Sequence, residues 1–463
     1  MSEESASKSA FTEPESTEPE SAESASPESE PAKSESAKSK SAKSESAEPI
    51  SISFCLIAKN EADNLARCLD SVRTLCDELV VVDTGSTDGT GVKAMNLGER
   101  VSFFEWCDDF AAARNYGLEQ LTGDWVLMLD GDEWLLPEAI AQIQEAVTYD
   151  DAIAINLLRQ EIGAVQSPYS LVSRLFRRHP AVNFERPYHA LIDDSVTRLM
   201  AADPHWRVLS LPSPAIAHEG YQQAAIARGN KQARARQAME SYLADHPGDA
   251  YACCKLGALL ADEMADETLE DGTVDPEALG RSRTLLKQGL RQAEQDNNVE
   301  LMYELHNRLA IEDTQRGNPD LAQSHYRVAL KQPVLPMVRL GAEVNLGNLY
   351  QQAVRLDEAI SLYKSAIATS ADLPQVHYNL GLALRAKGDL EGAIAAYQQA
   401  AQLDPQRAEV YQNLGVVLLK GGNVPASLDA FGQAISLYQE QGKGAIAEEI
   451  RDNLAAMGFQ PSA

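Results

Sequence analysis

The sequence predicts an α/β domain with parallel strands, followed by an all-helical repeat domain and preceded by a disordered segment. Three observations support this prediction: buried-strand patterns alternate with helical patterns over residues 51–134, two of those strands run straight into aspartates, and a 34-residue period recurs in the last third of the chain. Residues 1–49 consist almost entirely of Ser, Glu, Ala, Pro and Lys. Such a segment buries too little apolar surface to fold, so we expect it to be disordered.

Apolar runs at 51–58, 79–82 and 125–129 predict buried strands, and helical patterns at 64–75 and 111–121 lie between them. Alternating strands and helices are typical of a parallel sheet covered by helices. Shorter strand-like stretches occur at 152–158, 171–177, 182–184 and 208–211. They predict a second half with strands of mixed direction, which completes a domain over residues 50–225. A helical linker is expected over residues 226–250.

The remaining chain is predicted to form helical repeats over residues 251–457. Asn-Leu-Gly recurs at Asn345, Asn379 and Asn413, and each copy is followed by a small residue and then an aromatic residue at fixed spacing. The period and these residues resemble the tetratricopeptide (TPR) repeat, in which helix pairs stack into a superhelix with a concave face. Three clear copies span about 339–440, and degenerate copies lie upstream, where an acidic insert at 262–277 interrupts them.

Composition excludes several classes of function. The chain has 463 residues with 40 Lys and Arg against 69 Asp and Glu, a net charge of −29. Such a charge repels phosphate backbones, which argues against a nucleic-acid partner. No apolar run is long enough for a transmembrane segment, and the six cysteines include no CxxC pair. These features predict a reduced, cytoplasmic protein.

Carboxylates follow two of the predicted strands. Asp83 comes after the second strand, and Asp130 and Asp132 come after the third. The carboxyl ends of parallel strands are where open α/β sheets bind ligands. Two carboxylates on one turn are hard oxygen ligands that suit Mg²⁺ or Mn²⁺, and these cations in turn suit a diphosphate.

Four motifs resemble the GT-A-fold glycosyltransferases of family 2, in the bacterial branch that carries TPR repeats on the same chain. They are AKNE at 58–61, VVDTGSTDGT at 81–90, DFAAARN at 109–115 and LDGDE at 129–133. The resemblance implies a Rossmann-like domain with hexosyltransferase-like activity. It also implies a nucleotide-sugar donor, UDP-linked by expectation, a divalent cation (Mn²⁺ or Mg²⁺) and inversion at the anomeric carbon.

The resemblance also implies roles for individual residues. Those expected around the nucleotide and donor sugar are Glu61, Asp83, Asp88, Arg114 and Asp130. Those expected around the metal are Asp132, Asp130 and His218, the last from a His-x-Gly-Tyr stretch that ends the catalytic domain in related transferases. Asp88 has a second interpretation, as a residue that shapes the Gly-rich turn. His218 likewise has one, as a histidine hydrogen-bonded at a domain seam.

The sequence does not decide which residue is the catalytic base. The family usually has His-Glu where this chain has His189-Ala190, so the expected carboxylate is missing. The nearby candidates are Glu185, His189, Asp193 and Glu219. Arg174 or Arg177 could neutralise the diphosphate, and a solvated strand face is the alternative for both.

The repeats predict a surface for a protein partner or acceptor. Asn345, Asn379 and Asn413 share one repeat position, and a ladder of amides can bind an extended peptide backbone whatever its sequence. This arrangement resembles the asparagine ladder of protein O-glycosyltransferases. The alternative is that the amides cap helices within each repeat.

Three hypotheses for function follow. The first is a metal-dependent inverting glycosyltransferase with an undetermined acceptor. The second is a TPR scaffold whose first domain is a degenerate nucleotide-binding module, a reading motivated by Ala190. The third is a nucleotidyltransferase, since that chemistry also handles metal-bound diphosphates on α/β sheets.

Overall fold

The computed structural model describes residues 49–164, 168–219, 228–266 and 276–459, with only the backbone described at 228–232, 264–266 and 276–279. The predicted disordered segment 1–49 lies outside this part of the chain except for its last residue. Most of the predicted acidic insert 262–277 lies outside it as well.

One eight-stranded mixed sheet organises the first half of the chain, with strand order β3-β2-β1-β4-β7-β6-β8-β5. Strands β1 to β4 run parallel to one another, whereas β7 is antiparallel to both β4 and β6. Strand β8 then runs parallel to β6 and antiparallel to β5. The strands are β1 (Ile52–Ala58), β2 (Glu78–Asp83), β3 (Arg100–Phe103), β4 (Trp125–Leu129), β5 (Glu133–Leu135), β6 (Ala152–Glu161), β7 (Tyr169–Arg177) and β8 (Arg207–His218).

Helices cover both faces of this sheet. They are α1 (Leu65–Val72), α2 (Thr90–Asn96), α3 (Phe110–Glu119), α4 (Ile140–Ala146) and α5 (Asp193–Ala202). One apolar core forms beneath α1 and α4, and a second forms beneath α3 and α5. The predicted α/β fold with its three buried parallel strands is therefore confirmed.

Residues 182–184, predicted to be a strand, form a loop instead. Val182 and Phe184 are buried in the core on the α3 side, which produced the alternating pattern in the sequence. The backbone of Phe184 pairs with the Asn115 side chain, whose Oδ1 accepts from its N–H at 2.8 Å and whose Nδ2 donates to its carbonyl at 3.0 Å. One amide side chain thus supplies the partners that a neighbouring strand would otherwise provide.

Twelve helices are described after the sheet. They are α6 (Arg228–Asp245), α7 (Ala250–Asp266), α8 (Pro276–Gln295), α9 (Val299–Gln315), α10 (Pro319–Ala329), α11 (Pro336–Gln352), α12 (Leu356–Thr369), α13 (Pro374–Lys387), α14 (Leu390–Leu403), α15 (Ala408–Lys420), α16 (Val424–Glu440) and α17 (Gly444–Ala456). From α7 onward, successive helices pack in pairs, as the repeat pattern predicts. Within the described ranges, none of the helices combines the length and apolarity needed to cross a membrane. The domain bounds 50–225, 226–250 and 251–457 stay predictions.

In each clear repeat, a glycine of the first helix packs against an aromatic ring of the second helix. A Cβ added to Gly381 would stand 2.6 Å from Cε1 of Tyr397, and one added to Gly415 would stand 2.9 Å from Phe431. Both glycines come from the Asn-Leu-Gly motif, and both rings are buried. The missing side chain therefore lets paired helices approach closely enough to bury an aromatic ring between them.

The sheet and the repeats share an apolar core. Leu158 of β6 and Tyr169 of β7, both buried, belong to the same cluster as the core of the repeats. The Tyr169 hydroxyl lies 3.4 Å from the Ser370 hydroxyl, just after α12. The described residues from Ile50 onward accordingly form one compact unit.

We expect this shared core to make the sheet and the repeats unfold together in one thermal transition. The Tyr169→Ala variant removes a buried ring from the junction, and its melting curve should split into two transitions several degrees apart. Calorimetry is the measurement, and Tyr169→Phe, which removes only the hydroxyl, is the matched control. Two transitions in the wild-type chain would contradict the expectation.

Candidate active site

Three loops meet at the carboxyl edge of the parallel strands. Ala58 at the end of β1 pairs with Asp83 at the end of β2, and Leu56 pairs with Leu129 at the end of β4. The loops that follow these strands therefore begin side by side, at the place where open α/β sheets bind ligands.

Asp83 shapes the loop after β2. Its buried carboxylate accepts hydrogen bonds at Oδ1 from the backbone N–H of Gly85 at 2.9 Å and of Ser86 at 2.7 Å. A Cβ on Gly91 would stand 2.6 Å from Oδ2, so the glycine leaves room for this carboxylate. Asp83 thus has a structural role beside the nucleoside-binding role predicted for it.

Asp88 connects the first two loops by hydrogen bonds. One oxygen accepts from the Ala62 N–H at 3.0 Å, and the other accepts from the Thr90 N–H at 3.0 Å and from the Thr90 hydroxyl at 2.6 Å. The hydroxyl bond, followed by the backbone bonds, lowers the pKa of Asp88. These contacts are those of a turn-shaping residue, the second interpretation given above.

Glu61 connects the first loop to the turn after β4. Its backbone N–H donates to the Thr90 hydroxyl at 2.9 Å, and its Oε2 accepts from Asn64 at 3.1 Å. A Cβ on Gly131 would stand 2.4 Å from Cγ of Glu61, so the Glu61 side chain lies directly against that glycine. The three loops form one cradle with Glu61 at its centre.

Asp130 lies between two buried arginines. Its Oδ1 is 2.6 Å from Arg114 of α3, and its Oδ2 is 2.5 Å from Arg174 of β7. Desolvation raises the pKa of Asp130, but Arg114 and Arg174 outweigh it and hold that pKa well below its usual range. Desolvation, followed by repulsion from Arg174, lowers the pKa of Arg114 to about 10. Both oxygens of the predicted metal ligand Asp130 are therefore engaged by guanidinium groups.

A chain of alternating charges continues from this cluster. Glu133 lies 3.6 Å from Arg174, and Arg159 of β6 contacts Glu133 at 2.6 Å and Glu161 at 2.8 Å. Glu161 lies 2.6 Å from Nδ1 of His218, whose Nε2 lies 3.4 Å from Asp132. The chain of charges thus ends at Asp132, the second carboxylate of the turn after β4.

Asp132 and His218, two of the three predicted metal ligands, lie side by side at the end of this chain of charges. Glu161 contacts Nδ1 of His218, which leaves Nε2 facing Asp132. Histidines that bind a metal through one ring nitrogen commonly have such a carboxylate at the other. Desolvation lowers the pKa of His218, but hydrogen bonds to Asp132 and Glu161 outweigh it and raise that pKa to about 9. Among the described residues, no group of three or more His, Cys, Asp or Glu side chains is arranged to hold a metal. A cation here would take two protein ligands and complete its shell with other oxygens.

Sequence reasoning missed Arg159 and Glu161 and gave Glu133 no role. Arg159 and Glu161 are two residues apart in one strand, so they share a face, and that spacing was the available signal.

Arg177, one of the two arginines considered for the diphosphate, does not contact Asp130. Its guanidinium lies 4.9 Å from the Trp125 ring and donates to the Ala152 carbonyl.

Two candidates for the base are held in ion pairs. Glu185 forms two hydrogen bonds with Arg198, one of them at 3.2 Å, and this interaction lowers the pKa of Glu185. Glu219 lies 2.7 Å from Arg67, which lowers the pKa of Glu219 in the same way. A carboxylate stabilised as an anion is a weaker proton acceptor.

His189 lines a small recess together with Tyr188, Tyr251 and Lys255, whereas Asp193 is the first residue of α5. Desolvation, followed by the positive charge of Lys255, lowers the pKa of His189 to about 3. Asp193 accepts a hydrogen bond from the Ser173 hydroxyl at 3.0 Å. Both side chains keep an exposed surface.

The predicted asparagine ladder is partly engaged within the repeats. Asn379 donates to Asn348 of the preceding repeat at 2.8 Å, and Asn413 accepts from Arg385 at 2.7 Å. Nδ2 of Asn345 is buried with no hydrogen-bond partner among the described residues. None of the three is an N-cap in the described helices, and partner binding by the ladder stays a prediction.

Comparison with known proteins agrees with this architecture. The model of the family described as Glycosyl transferase family 2 matches residues 53–209. Models of the tetratricopeptide repeat match residues 344–376 and 381–422. The solved TPR protein YrrB is 14% identical over 46% of this chain and 99% of its own, with a TM-score of 0.37.

Relatives match from about a third to about two thirds of this chain. A TPR repeat-containing protein of Synechococcus elongatus is 42% identical over 319 residues, which cover 69% of this chain and 75% of that protein. An uncharacterized glycosyltransferase of Rickettsia prowazekii is 36% identical over 31% of this chain, and the match spans about half (52%) of its length. The glycosyltransferase SunS of Bacillus subtilis is 27% identical over 30% of this chain and 34% of its own. The chain belongs to the TPR repeat-containing proteins, and its residues 53–209 match glycosyl transferase family 2.

Proposed function

We propose that this protein transfers a sugar from a nucleotide-sugar donor, UDP-linked by preference, to a hydroxyl of its acceptor in one metal-dependent, inverting displacement. The observation that carries the proposal is the charge chain from Asp130 to Asp132 beneath the three-loop cradle. Such a chain keeps carboxylates ionised and fixed in position at the edge where a diphosphate would bind.

The donor-side roles follow from the contacts. We assign the nucleoside to the cradle formed by the loops of Glu61, Asp83 and Asp88. Arg114 and Arg174, both buried, supply positive charge near the donor. Their pairing with Asp130 fixes them before the donor arrives, so that little reorganisation is needed as the leaving group gains charge.

Asp132 and His218 are the residues that would hold a Mn²⁺ or Mg²⁺ ion. When bound, the ion supplies positive charge to the diphosphate leaving group. Glu161 keeps His218 oriented, and Arg159 keeps Glu161 ionised. Desolvation opposes that ionisation, but His218 and Arg159 outweigh it and lower the pKa of Glu161 to about 2.

We propose Asp193 as the general base. It is exposed and accepts its hydrogen bond from the neutral Ser173 hydroxyl, whereas Glu185 and Glu219 are held by arginines that lower their pKa. The acceptor oxygen would bond to the anomeric carbon as the bond to the diphosphate breaks, and the hydroxyl proton would pass to Asp193. His189, with a pKa of about 3, is the weaker proton acceptor near neutral pH.

Thermal unfolding of the full chain with UDP, GDP, CMP and their sugars, each with and without Mn²⁺, tests the donor site. A ligand at about 100 times its Kd adds about 2.7 kcal/mol of stability. We expect one nucleotide to raise the melting temperature only with Mn²⁺, and Asp132→Asn to abolish that shift. Asp203→Asn, an exposed carboxylate after α5, is the control and should behave as wild type.

A scaffold with a degenerate nucleotide site is the second candidate, because Ala190 stands where the family usually has glutamate. It predicts no Mn²⁺-dependent shift with any nucleotide, and binding of a protein partner by the repeats alone. Release of pyrophosphate instead of a nucleoside diphosphate would indicate nucleotidyl transfer. In the leading proposal, the repeats recruit a protein partner or acceptor.

A further inference from the structure

Strands β6 and β7 carry two different sets of residues on their opposite faces. Leu158 pairs with Leu171 across the two strands, and Arg159 pairs with Ser170. Cross-strand partners point to the same face, and the next residue along each strand points to the other face. Leu158 and Leu171 pack in the apolar core of the repeats, whereas Arg159 belongs to the chain of charges. The two strands therefore have the repeats on one face and the chain of charges on the other.

The Ser170 hydroxyl connects the two strands within the chain of charges. It donates to Oε1 of Glu161 at 2.6 Å and accepts from Nε of Arg159 at 3.2 Å. Nε of Arg159 also donates to Oε1 of Glu161 at 2.8 Å, so the three groups form a closed triangle. The other oxygen of Glu161, Oε2, lies 2.6 Å from Nδ1 of His218. Ser170 and His218 thus hold opposite oxygens of one carboxylate.

The residues on either side of Ser170 are fixed by the repeats. The Tyr169 side chain is buried in the core of the repeats, and Leu171 packs against the same core. Helix α11 packs against β7, and the Tyr169 hydroxyl lies near the hydroxyl of Ser370, just after α12. Because both of its neighbours are anchored in this way, the position of the Ser170 hydroxyl depends on how the repeats pack against the sheet.

We propose that Ser170 is a positioning residue of the transferase and that helices α11 and α12 hold it in place. Through Glu161, it keeps the His218 ring in the orientation that binds the metal of the donor complex. The repeats then support the donor site from the opposite face of the sheet, in addition to any role in recruiting a protein. This inference rests on the proposed function, because it concerns the donor site of the same reaction.

The contacts of Glu161 separate this role from a role in stability. Without the Ser170 hydroxyl, Oε1 of Glu161 still accepts from Arg159, so the carboxylate keeps its ion pair. The change removes one of the two hydrogen bonds that fix the orientation of this carboxylate on the Oε1 side. Loss of a group that orients a metal-binding histidine typically weakens metal binding about ten- to hundredfold. We therefore expect weaker metal binding without a comparable loss of stability.

The Kd for Mn²⁺ in the presence of UDP tests the role of Ser170. It is measured on the full chain from the electron paramagnetic resonance signal of free Mn²⁺, so neither acceptor nor turnover is needed. We expect Ser170→Ala to raise this Kd about ten- to hundredfold, and Ser170→Thr, which keeps the hydroxyl, to restore most of the affinity. Ser210→Ala, at an exposed serine of β8, is the control. All three variants should melt close to wild type without Mn²⁺.

A second set of variants tests the part played by the repeats. Tyr169→Ala should raise the same Kd, at a temperature where calorimetry shows both halves of the chain to be folded. Tyr169→Phe, which keeps the ring in the junction, should bind Mn²⁺ like the wild type. The matched control is Tyr438→Ala, which removes a similarly buried ring from a different apolar cluster of the repeats and should leave the Kd unchanged.

An unchanged Kd in Ser170→Ala would overturn the inference, as would a Ser170→Thr variant that binds Mn²⁺ as weakly as Ser170→Ala. A raised Kd in Ser170→Ala together with an unchanged Kd in Tyr169→Ala would refute the part assigned to the repeats. A wild-type chain that binds no Mn²⁺ with UDP, GDP or CMP would instead overturn the proposed function, so the failures are distinguishable.

Discussion

The Asp193→Asn variant should lose turnover by about 10²- to 10⁴-fold, the usual contribution of a general base. The amide keeps the shape of the side chain and its contact with Ser173 but cannot accept the acceptor proton. Because Asp193 lies on the acceptor side, the Mn²⁺-dependent thermal shift with the nucleotide should remain. Steady-state kinetics with the identified acceptor measures kcat, and unfolding experiments report donor binding separately.

Glu185→Gln provides the decisive comparison for this prediction. It makes the same chemical change eight residues earlier, at a carboxylate held by Arg198 on the surface, and we expect at most a small loss of kcat. A larger loss in Glu185→Gln than in Asp193→Asn would assign the base to Glu185. Equal loss in both would indicate that neither acts directly.

The Asp130→Ala variant should lower the free energy of unfolding by about 3–5 kcal/mol, the usual result of leaving buried charges without their partner. Arg114 and Arg174 would then face each other across the space that Asp130 occupies, with side chains only 6% and 11% exposed. Denaturant unfolding followed by tryptophan fluorescence measures this loss through the midpoint.

A second substitution separates charge from packing. Adding Arg174→Met to Asp130→Ala removes one of the two cations that Asp130 neutralises and should recover part of the lost stability. If the double variant were less stable by the sum of the two single effects, the repulsion between the guanidinium groups would not be the cause. An Asp130→Ala variant as stable as wild type would refute the prediction outright.

The sequence was most informative where an element is buried on all sides. Strands β1 and β4 are entirely buried, so each appears as an uninterrupted apolar run. Strand β3 has four residues, none of them fully buried, and short amphipathic pieces of this kind give no reliable period. The repeats could be predicted because Gly381 and Tyr397 recur in register with their counterparts 34 residues away.

The site was predictable only to the extent that neighbours in the chain are neighbours in space. The location of Asp83, Asp130 and Asp132 follows from their position after strands, whereas their contacts do not. Asp130 meets Arg174 through the antiparallel pairing of β4 with β7, and that topology is absent from any local pattern. Lys255 of α7 lines the same recess as His189, although the two residues are far apart in the chain.

The shared core at Tyr169 makes the two halves of the molecule energetically dependent on each other. Because Tyr169 and Leu158 belong to the core of the repeats, unfolding the sheet removes contacts that the repeats also require. Any protein that binds only the native repeats then stabilises the transferase half by mass action, without touching it. Binding at the repeats would thus raise the melting temperature of the transferase half as well as that of the repeats.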